Sequence, residues 1–312
     1  MPDWFLGIDT SNYRTSAAVY DPVSGVWQNE GSLLDVPEGA IGLRQSDALF
    51  QHTVRLHEKI EALPQGAVRA VGISTRPRAV EGSYMPCFLA GESVARSAAH
   101  LLSVPLVACS HQQGHVAAAA LSANRLDLLD RPFLAWHLSG GTTELLLVQP
   151  GADGLPDCAC VGGTTDLSAG QLIDRAGALL GLPFPSGAAL DKLAVGTLPQ
   201  AGYAPKVSGS RFSLSGMQNQ VLALYERGEP SETVARFTLE TVANAVVKAT
   251  GQARRQYAYP VLCAGGVMAS EIVRTRMRQT VEDVFFADPV LSGDNAVGVA
   301  VLAARQYERN KT

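Results

Sequence analysis

The chain has 312 residues, enough for two domains, and 46% of them are hydrophobic while 17% are charged, which excludes an intrinsically disordered protein. The formal net charge of −4 excludes nucleic-acid binding driven by overall charge, so any RNA contact needs a local basic patch or a partner protein. The five scattered cysteines favour a reducing compartment, and no apolar run reaches the roughly 18 residues of a membrane span, so we expect a cytoplasmic protein without a membrane partner.

The first part of the chain alternates apolar segments with segments of helical spacing. An apolar strand at residues 4–9 is followed by a polar turn at 10–13 and a second strand at 15–20. Further strands are predicted near 26–28 and at 68–74 and 106–109, and helices at 46–63, 91–102 and 112–121.

The second part of the chain repeats the opening design. A strand at residues 133–138, a glycine-bearing turn at 139–143 and a strand at 144–148 again form strand, polar turn and strand. Later elements are a loop at 199–215, helices at 233–257, from 269 and at 295–308, and strands at 260–264 and 284–286. The repetition predicts a duplicated α/β architecture that binds its ligand in the cleft between the halves.

Two histidines four residues apart, His111 and His115, indicate a metal site. On a helix these positions lie on one face, so both imidazoles can point at one ion. A carboxylate from Asp294 would complete a set of two histidines and one carboxylate, which leaves coordination positions open for a substrate. A HxxxH spacing is common in proteins, so an ordinary pair of helical histidines is the alternative.

Three polar or glycine-bearing turns leave predicted strands near residues 9–15, 139–143 and 264–270. Such turns can direct backbone N–H groups and small hydroxyls at phosphate oxygens. Their order resembles the phosphate-1, phosphate-2 and adenosine segments of the actin–Hsp70–sugar-kinase superfamily. No lysine-bearing GxxxxGK[ST] loop occurs, which disfavours the P-loop ATPases.

Short motifs along nearly the whole chain resemble those of the TsaD/Gcp family, the threonylcarbamoyl-adenosine tRNA synthases formerly called O-sialoglycoprotein endopeptidases. Residues 110–115 match its HHxxGH signature in all but the first histidine, and residues 138–143 resemble its VSGGHT turn. Further similar segments are LGIDTS at 6–11, AGQLIDR at 169–175, LGLPFPSG at 180–187, FSLSG at 212–216, GGV at 265–267 and GDNA at 293–296. The chain is identified as a divergent member of this family.

The resemblance implies an actin-like (ASKHA) fold of two α/β domains with a nucleotide cleft between them. The N-terminal domain would cover residues 1–130 and carry the two histidines, and the C-terminal domain would cover 131–293. A small helical insertion is expected near residues 199–258. A helix within residues 294–312 is expected to return to the N-terminal domain.

The resemblance also implies roles for individual residues. His111, His115 and Asp294 would bind one divalent metal ion, with iron or zinc as the first choices. Among the nucleotide contacts, Asp174 would bind ribose hydroxyls and Gly187 would pack against the nucleotide. The full set expected to contact ATP or an acyl-adenylate is Ser139, Gly140, Gly141, Thr142, Asp174, Gly187, Gly266 and Ser270. The catalytic candidates are Asp9, Ser11 and Arg14.

The activity that the family implies is a metal-dependent acyl transfer. A threonylcarbamoyl group would move from its adenylate to the exocyclic amine of the adenosine next to the tRNA anticodon. A metal ion suits this reaction because it can polarise the carbonyl and stabilise the developing charge. The implied partners are an adenine nucleotide, tRNA and a TsaB-like protein.

The chain departs from the family pattern at several positions of the expected active face. The acidic pair of the family's SCDET segment is absent, because residues 11–15 read Ser-Asn-Tyr-Arg-Thr, and Arg14 can instead bind a phosphate or carboxylate through two hydrogen bonds. The family's GPG turn carries Arg76 and Arg78 here. Thr142 replaces a histidine, and Ser270 replaces an asparagine. Ordinary solvated surface charges are the alternative interpretation of the three arginines.

These departures leave a second hypothesis from another class: a catalytically inactive, TsaB-like paralogue that acts as a dimerisation partner or regulator. The retained histidines and Asp294 argue against it, because a scaffold does not need metal ligands. A metallopeptidase is disfavoured as a third hypothesis, since this HxxxH lacks the glutamate general base of HExxH.

Overall fold

The computed structural model describes residues 3–11, 13–37, 42–198, 203 and 205–311. Asn12 of the altered turn, and residues 199–202 and 204 of the predicted loop, lie outside the described residues. The chain packs as two compact units. Unit 1 consists of Met1–Arg131, Gln149–Cys158 and Gly293–Thr312, and unit 2 of Pro132–Val148 and Ala159–Ser292.

The secondary structure alternates strands and helices. The strands are β1 (Asp3–Asp9), β2 (Arg14–Tyr20), β3 (Trp27–Leu33), β4 (Ala67–Arg76), β5 (Leu106–Ser110), β6 (Phe133–Leu138), β7 (Thr143–Pro150), β8 (Pro156–Thr164), β9 (Val207–Ser208), β10 (Arg211–Phe212), β11 (Val261–Ala264) and β12 (Val284–Phe286). The helices are α1 (Gln45–Glu61), α2 (Phe88–Leu102), α3 (His111–Ser122), α4 (Ala169–Leu179), α5 (Gly187–Ala194), α6 (Ser215–Glu226), α7 (Ser231–Gln256), α8 (Glu271–Thr280) and α9 (Val297–Arg309). None of the helices in the described part of the chain combines the length and the apolar character that crossing a membrane requires.

The sheet of unit 1 has the strand order β3–β2–β1–β4–β5. β1 and β2 form an antiparallel hairpin, and β4 and β5 lie parallel to β1. Because β1 is paired on both edges and covered on both faces, it is apolar nearly throughout, and Phe5 and Ile8 are almost completely buried. The polar ends of β1 and β5 meet at the same sheet edge, where the strand order places Asp9 near the start of α3.

α9 packs closely against both the sheet and α3, and glycines permit this approach. A Cβ on Gly7 would lie 2.3 Å from the Ala296 carbonyl oxygen. A Cβ on Gly298 would lie 1.8 Å from the Gly114 carbonyl oxygen and 2.7 Å from the Ala118 nitrogen. The two helices therefore touch backbone to backbone, which brings the residues just before α9 next to α3.

The sheet that contains β6 has the strand order β12–β11–β6–β7–β8–β10–β9. β6 and β7 form an antiparallel hairpin, and β11 lies parallel to β6. The long helix α7 is buried along much of its length, and its Thr250 hydroxyl accepts a hydrogen bond of 2.8 Å from Trp136 Nε1 on β6. This bond satisfies the indole N–H of one of the largest fully buried side chains in unit 2.

Some element ends differ from those predicted from the sequence. The strand predicted near 26–28 continues to Leu33, because β3 pairs with the whole of β2. The last helix begins at Val297 rather than at 295, with Ala296 as its N-cap. The Asn295 side chain, one residue before the cap, accepts a 3.0 Å hydrogen bond from the Val297 nitrogen and so holds a turn just before the helix. Short local hydrogen bonds of this kind are weakly encoded in hydrophobic periodicity.

A capping box begins α4, and its loss gives a testable change in stability. The Ser168 hydroxyl accepts a hydrogen bond from the Gln171 nitrogen at 3.1 Å and donates one to the Gly140 carbonyl oxygen at 2.6 Å. We expect Ser168→Ala to lower the free energy of unfolding by about 1 kcal/mol, measured by denaturant titration. Ser97→Ala, at an exposed position of α2, is the matched control and should change it by less than about 0.5 kcal/mol. Equal effects of the two substitutions would contradict the role of this cap.

Candidate metal centre and nucleotide pocket

Three potential metal ligands meet in unit 1. His111 and His115 lie one turn apart on α3, with their Nε2 atoms 2.8 Å from each other. Asp294 precedes α9, and its Oδ1 lies 3.2 Å from His115 Nε2 and 3.5 Å from His111 Nε2. The ligand atoms of all three residues lie within 4.8 Å of one another, so one ion can contact them together.

A local capping box fixes where α3 begins and therefore where its histidines point. The Ser110 hydroxyl accepts a 3.2 Å hydrogen bond from the Gln113 nitrogen, and the Gln113 side chain accepts a 2.7 Å bond from the Ser110 nitrogen. Gln113 Nε2 also donates to the Pro156 carbonyl oxygen at 2.9 Å. Since His111 is the first residue of the helix, its side chain lies at the sheet edge with Asp9.

Asp9 orients His111 from behind. Its Oδ2 lies 2.8 Å from His111 Nδ1, and it is 1% exposed. Its Oδ1 accepts hydrogen bonds from the Ser11 nitrogen at 2.9 Å and from the Ser11 hydroxyl. A carboxylate that holds the Nδ1 proton leaves Nε2 free for a cation, which is the arrangement commonly found behind metal-bound histidines.

The carboxylates make this site attractive to a positive charge. Burial disfavours a charged imidazole, but the negative charges of Asp9 and Asp294 outweigh it and raise the pKa of His111 to about 10. Burial raises the pKa of the Asp294 carboxyl, yet hydrogen bonds from His111 and His115 hold it well below its usual range. A proton or a metal ion can meet this demand for positive charge, and the two compete for His111.

The donor set fits a divalent transition-metal ion. Two imidazole nitrogens and one carboxylate oxygen suit iron, zinc, manganese or nickel, and three protein ligands leave positions for a substrate. The side chains of His111, His115 and Asp294 are 18%, 14% and 28% exposed, so the site is shielded but accessible. A structural site would instead surround the ion with four protein ligands and leave no open position.

We expect Asp9→Asn to weaken metal binding about 10- to 100-fold, because the amide no longer fixes His111 with a negative charge. Competition with a chelator would measure the affinity of the purified chain. Asp21→Asn is the matched control, since Asp21 is also buried but lies in the turn after β2, where among the described residues its carboxylate accepts hydrogen bonds from the Val23 nitrogen and the Ser24 hydroxyl. An unchanged metal affinity in folded Asp9→Asn protein would contradict the assigned role of Asp9.

Unit 2 contains a cavity of about 480 Å³. Ile173, Leu239 and Val267 supply apolar walls. Five of the residues predicted to contact nucleotide lie around it: Gly140, Asp174, Gly187, Gly266 and Ser270. An apolar cavity with a few polar groups at its margin suits a flat ring that carries hydroxyl groups.

The turn between β6 and β7 lies at one side of this cavity. Gly140 and Gly141 are exposed, and a Cβ on either would meet no atom within 4 Å. Ser139 and Thr142 close the turn, because the Ser139 hydroxyl accepts a 3.1 Å hydrogen bond from the Thr142 nitrogen. Among the described residues Gly140 lines the cavity, whereas Ser139, Gly141 and Thr142 are not part of its lining. Gly140 also contacts the first turn of α4, where the Ala169 and Gln171 nitrogens donate to Thr143 and Ser168 and the helix dipole favours negative charge.

Two predicted contact residues already have protein partners. One oxygen of Asp174 accepts a 2.8 Å hydrogen bond from the Ser186 nitrogen, which leaves the other oxygen for a ligand. The Ser270 hydroxyl donates to Asp191 and accepts a 3.4 Å bond from the Val273 nitrogen at the start of α8. Ser270 therefore contributes to the cavity mainly by positioning α8 against α5.

Asp191 and Lys192 on α5 also line the cavity, and the sequence did not single them out. Both are ordinary charged residues on a short helix. The local sequence shows only that Ala188 and Lys192 are four residues apart on α5, which places them on one helix face. Identifying them requires the tertiary packing of α5 against α7.

The three arginines at the altered motifs lie in different surroundings. Arg76 and Arg78 are exposed at the end of β4 and beyond it. Arg14 is half-buried at the start of β2, and its Nη2 donates to the Gly31 carbonyl oxygen at 3.3 Å. The chemistry open to Arg14 therefore differs from that of the other two.

Sequence comparisons relate the chain to a known family. Residues 69–301 match the TsaD family model, described as tRNA N6-adenosine threonylcarbamoyltransferase. The tRNA N6-adenosine threonylcarbamoyltransferase of Streptococcus suis (strain 05ZYH33) is 32% identical over 331 residues, which cover 97% of this chain and 92% of that protein.

Solved structures share the fold at low sequence identity. Full-length HypF in its phosphate- and nucleotide-bound form superposes with a TM-score of 0.58 and 12% identity, over 100% of this chain and 58% of that chain. A ROK family glucokinase from Streptomyces griseus, in complex with glucose and AMPPNP, superposes with a TM-score of 0.52 and 15% identity, over 97% and 99% of the two chains. These similarities confirm the predicted actin-like (ASKHA) fold.

Proposed function

Because the chain belongs to the TsaD family of tRNA N6-adenosine threonylcarbamoyltransferases, we propose that it transfers a threonylcarbamoyl group from an adenylate to the adenosine next to the tRNA anticodon. In this reaction a C–N bond forms between the adenosine amine and the carbamoyl carbon. The C–O bond to the adenylate phosphate breaks, AMP leaves with the electron pair, and the amine loses one proton. The observation that carries the proposal is that His111, His115 and Asp294 converge on one point. Asp9 supports this set through its hydrogen bond to His111 Nδ1.

The metal centre of unit 1 supports the acyl-transfer part of the proposal. A divalent ion held by His111, His115 and Asp294 would supply Lewis-acid stabilisation of the negative charge on the carbonyl oxygen. Asp9 and Ser11 keep the His111 ring in one orientation, so the ligand set needs little rearrangement during the reaction. Iron and zinc are the ions we propose first.

The cavity of unit 2 supports the proposed adenylate donor. Asp174 has a free carboxylate oxygen for the ribose hydroxyls, and the apolar walls suit the adenine ring. Gly140 permits close approach of a phosphate beside the first turn of α4. The hypothesis of an inactive, TsaB-like paralogue is not favoured, since the family match is to the transferase. A TsaB-like protein stays a proposed partner.

Turnover by the metal-loaded chain tests the function directly. Purified protein would be mixed with threonylcarbamoyl-adenylate and an unmodified tRNA transcript, with and without an added TsaB-like protein, and the nucleosides analysed by mass spectrometry. We expect threonylcarbamoyl-adenosine at the position next to the anticodon. A transcript with a different base at that position is the control and should stay unmodified. A folded, metal-loaded chain that binds the adenylate yet forms no product in either mixture would contradict the proposal.

A further inference from the structure

Arg14 is half-buried, and one of its N–H donors is buried without a partner among the described residues. That donor is Nε, whereas Nη2 donates to the Gly31 carbonyl oxygen at 3.3 Å, which is the one hydrogen bond of this guanidinium within the described part of the chain. Within the described residues no carboxylate lies within 4.0 Å of it. Since burying part of an unpaired charge is costly, the arrangement indicates that an anion completes this site.

The fold places Arg14 on the same sheet face as the residues that support the metal centre. Asp9 on β1 is paired with Ser16 on β2, and Ser16 is paired with Gly31 on β3, so their Cα–Cβ directions share one face. Arg14 precedes Ser16 by two residues and therefore lies on that face as well. Gly31 on β3 lies two strands away from Asp9 on β1, a total distance of about 10 Å. An extended acyl group and its hydrogen bonds can span this distance.

Gly31 makes room for the guanidinium. A Cβ on Gly31 would lie 2.8 Å from both Arg14 Nε and the Ser16 hydroxyl oxygen. Any larger residue at this position would displace Arg14 from the sheet face. The Ser16 hydroxyl, 1% exposed, likewise has no hydrogen-bond partner. The buried Nε distinguishes Arg14 from a surface arginine whose whole head group is in water.

We propose that Arg14 binds the carboxylate of the threonyl moiety of the donor and thereby selects acyl groups that carry an α-carboxylate. This inference rests on the proposed function, since the threonylcarbamoyl group is its ligand. A guanidinium can hold a carboxylate through two parallel hydrogen bonds, which fixes the acyl chain as well as attracting its charge. Arg14 is then a specificity-determining residue, and it lies in the segment where the family motif has its acidic pair.

A comparison of two ligands tests the role without requiring turnover. The probes are a stable acyl-sulfamate analogue of threonylcarbamoyl-adenylate and the same compound with a carboxamide in place of the carboxylate. Calorimetry on the metal-loaded full chain gives the two dissociation constants for the wild type, Arg14→Met and Arg14→Lys. We expect the wild type to prefer the carboxylate by about 10- to 100-fold, Arg14→Met to lose this preference, and Arg14→Lys to keep part of it.

Control measurements separate the alternatives. Arg96→Met, an exposed arginine of α2 paired with Glu92, should keep the wild-type preference. Thermal unfolding of Arg14→Met shows whether its fold is intact. An unchanged preference in folded Arg14→Met would overturn the inference alone, as would an effect confined to tRNA affinity, which would assign Arg14 to an RNA phosphate. Failure of the metal-loaded wild type to bind either analogue would overturn the proposed function and this inference with it.

Discussion

His111→Ala, His115→Ala and Asp294→Ala are each expected to leave the purified chain almost free of metal, whereas the wild type should hold close to one ion per chain. Each variant removes one of three ligands whose atoms lie within 4.8 Å of one another. Loss of a residue behind a ligand already costs about 10- to 100-fold in affinity, so loss of a direct ligand should cost more. Elemental analysis after dialysis measures the metal content, and transferase activity should fall with it.

The matched control is His57→Ala, because His57 lies exposed on α1 and its loss should leave the metal content unchanged. Adenine-nucleotide binding to the unit 2 cavity should also survive in the three ligand variants, since none of them belongs to its lining. Near-stoichiometric metal in any one of the folded ligand variants would remove that residue from the site. A metal-free wild type after reconstitution with iron or zinc would refute the centre as a whole.

Gly298→Ala should destabilise unit 1 by on the order of 3 kcal/mol. The added Cβ would lie 1.8 Å from the Gly114 carbonyl oxygen and 2.7 Å from the Ala118 nitrogen, both of them backbone atoms of α3. Backbone cannot rotate away as a side chain can, so α9 must move as a whole. Equilibrium unfolding in urea measures the loss, and metal affinity should fall as well because Asp294 moves with α9.

The control for Gly298 is Gly251→Ala in the C-terminal part of α7. Gly251 is exposed, and a Cβ there would meet no atom within 4 Å. Since alanine is the better helix former, this variant should gain about 1 kcal/mol in stability. The same substitution is thus expected to have opposite signs at two helical glycines. Equal stability changes at both positions would show that α3 and α9 do not approach as closely as described.

The sequence carried enough information to predict the fold family and the order of its main elements. Strand, polar turn and strand recur at residues 4–20 and 133–148, and the structure forms both hairpins. The spacing of His111 and His115 is equally local, because helical geometry alone places both on one face. Periodicity and turn chemistry act over a few residues, so they can be recognised without the tertiary structure.

Contacts between distant segments could not be predicted in this way. Asp9 was a catalytic candidate, yet its hydrogen bond to His111 joins residues 102 positions apart and depends on the strand order of unit 1. Asp191 and Ser270 meet across 79 positions. Nothing in the residues around Arg14 shows that it is half-buried with no acidic partner among the described residues, because that depends on Gly31 of a neighbouring strand.

Unit 1 is built from three separate segments of the chain, so it cannot be completed until the last of them has been synthesised. Asp294 follows His115 by 179 residues and belongs, with α9, to the last segment of the unit. A ribosome that adds about 5–20 residues per second exposes both histidines many seconds before Asp294 is made. A nascent chain can therefore fold unit 2 and bury its core while the sheet of unit 1 still lacks α9. The three-ligand metal site can be completed only after Asp294 has been made, and chaperones or proteases meet a half-covered sheet until then.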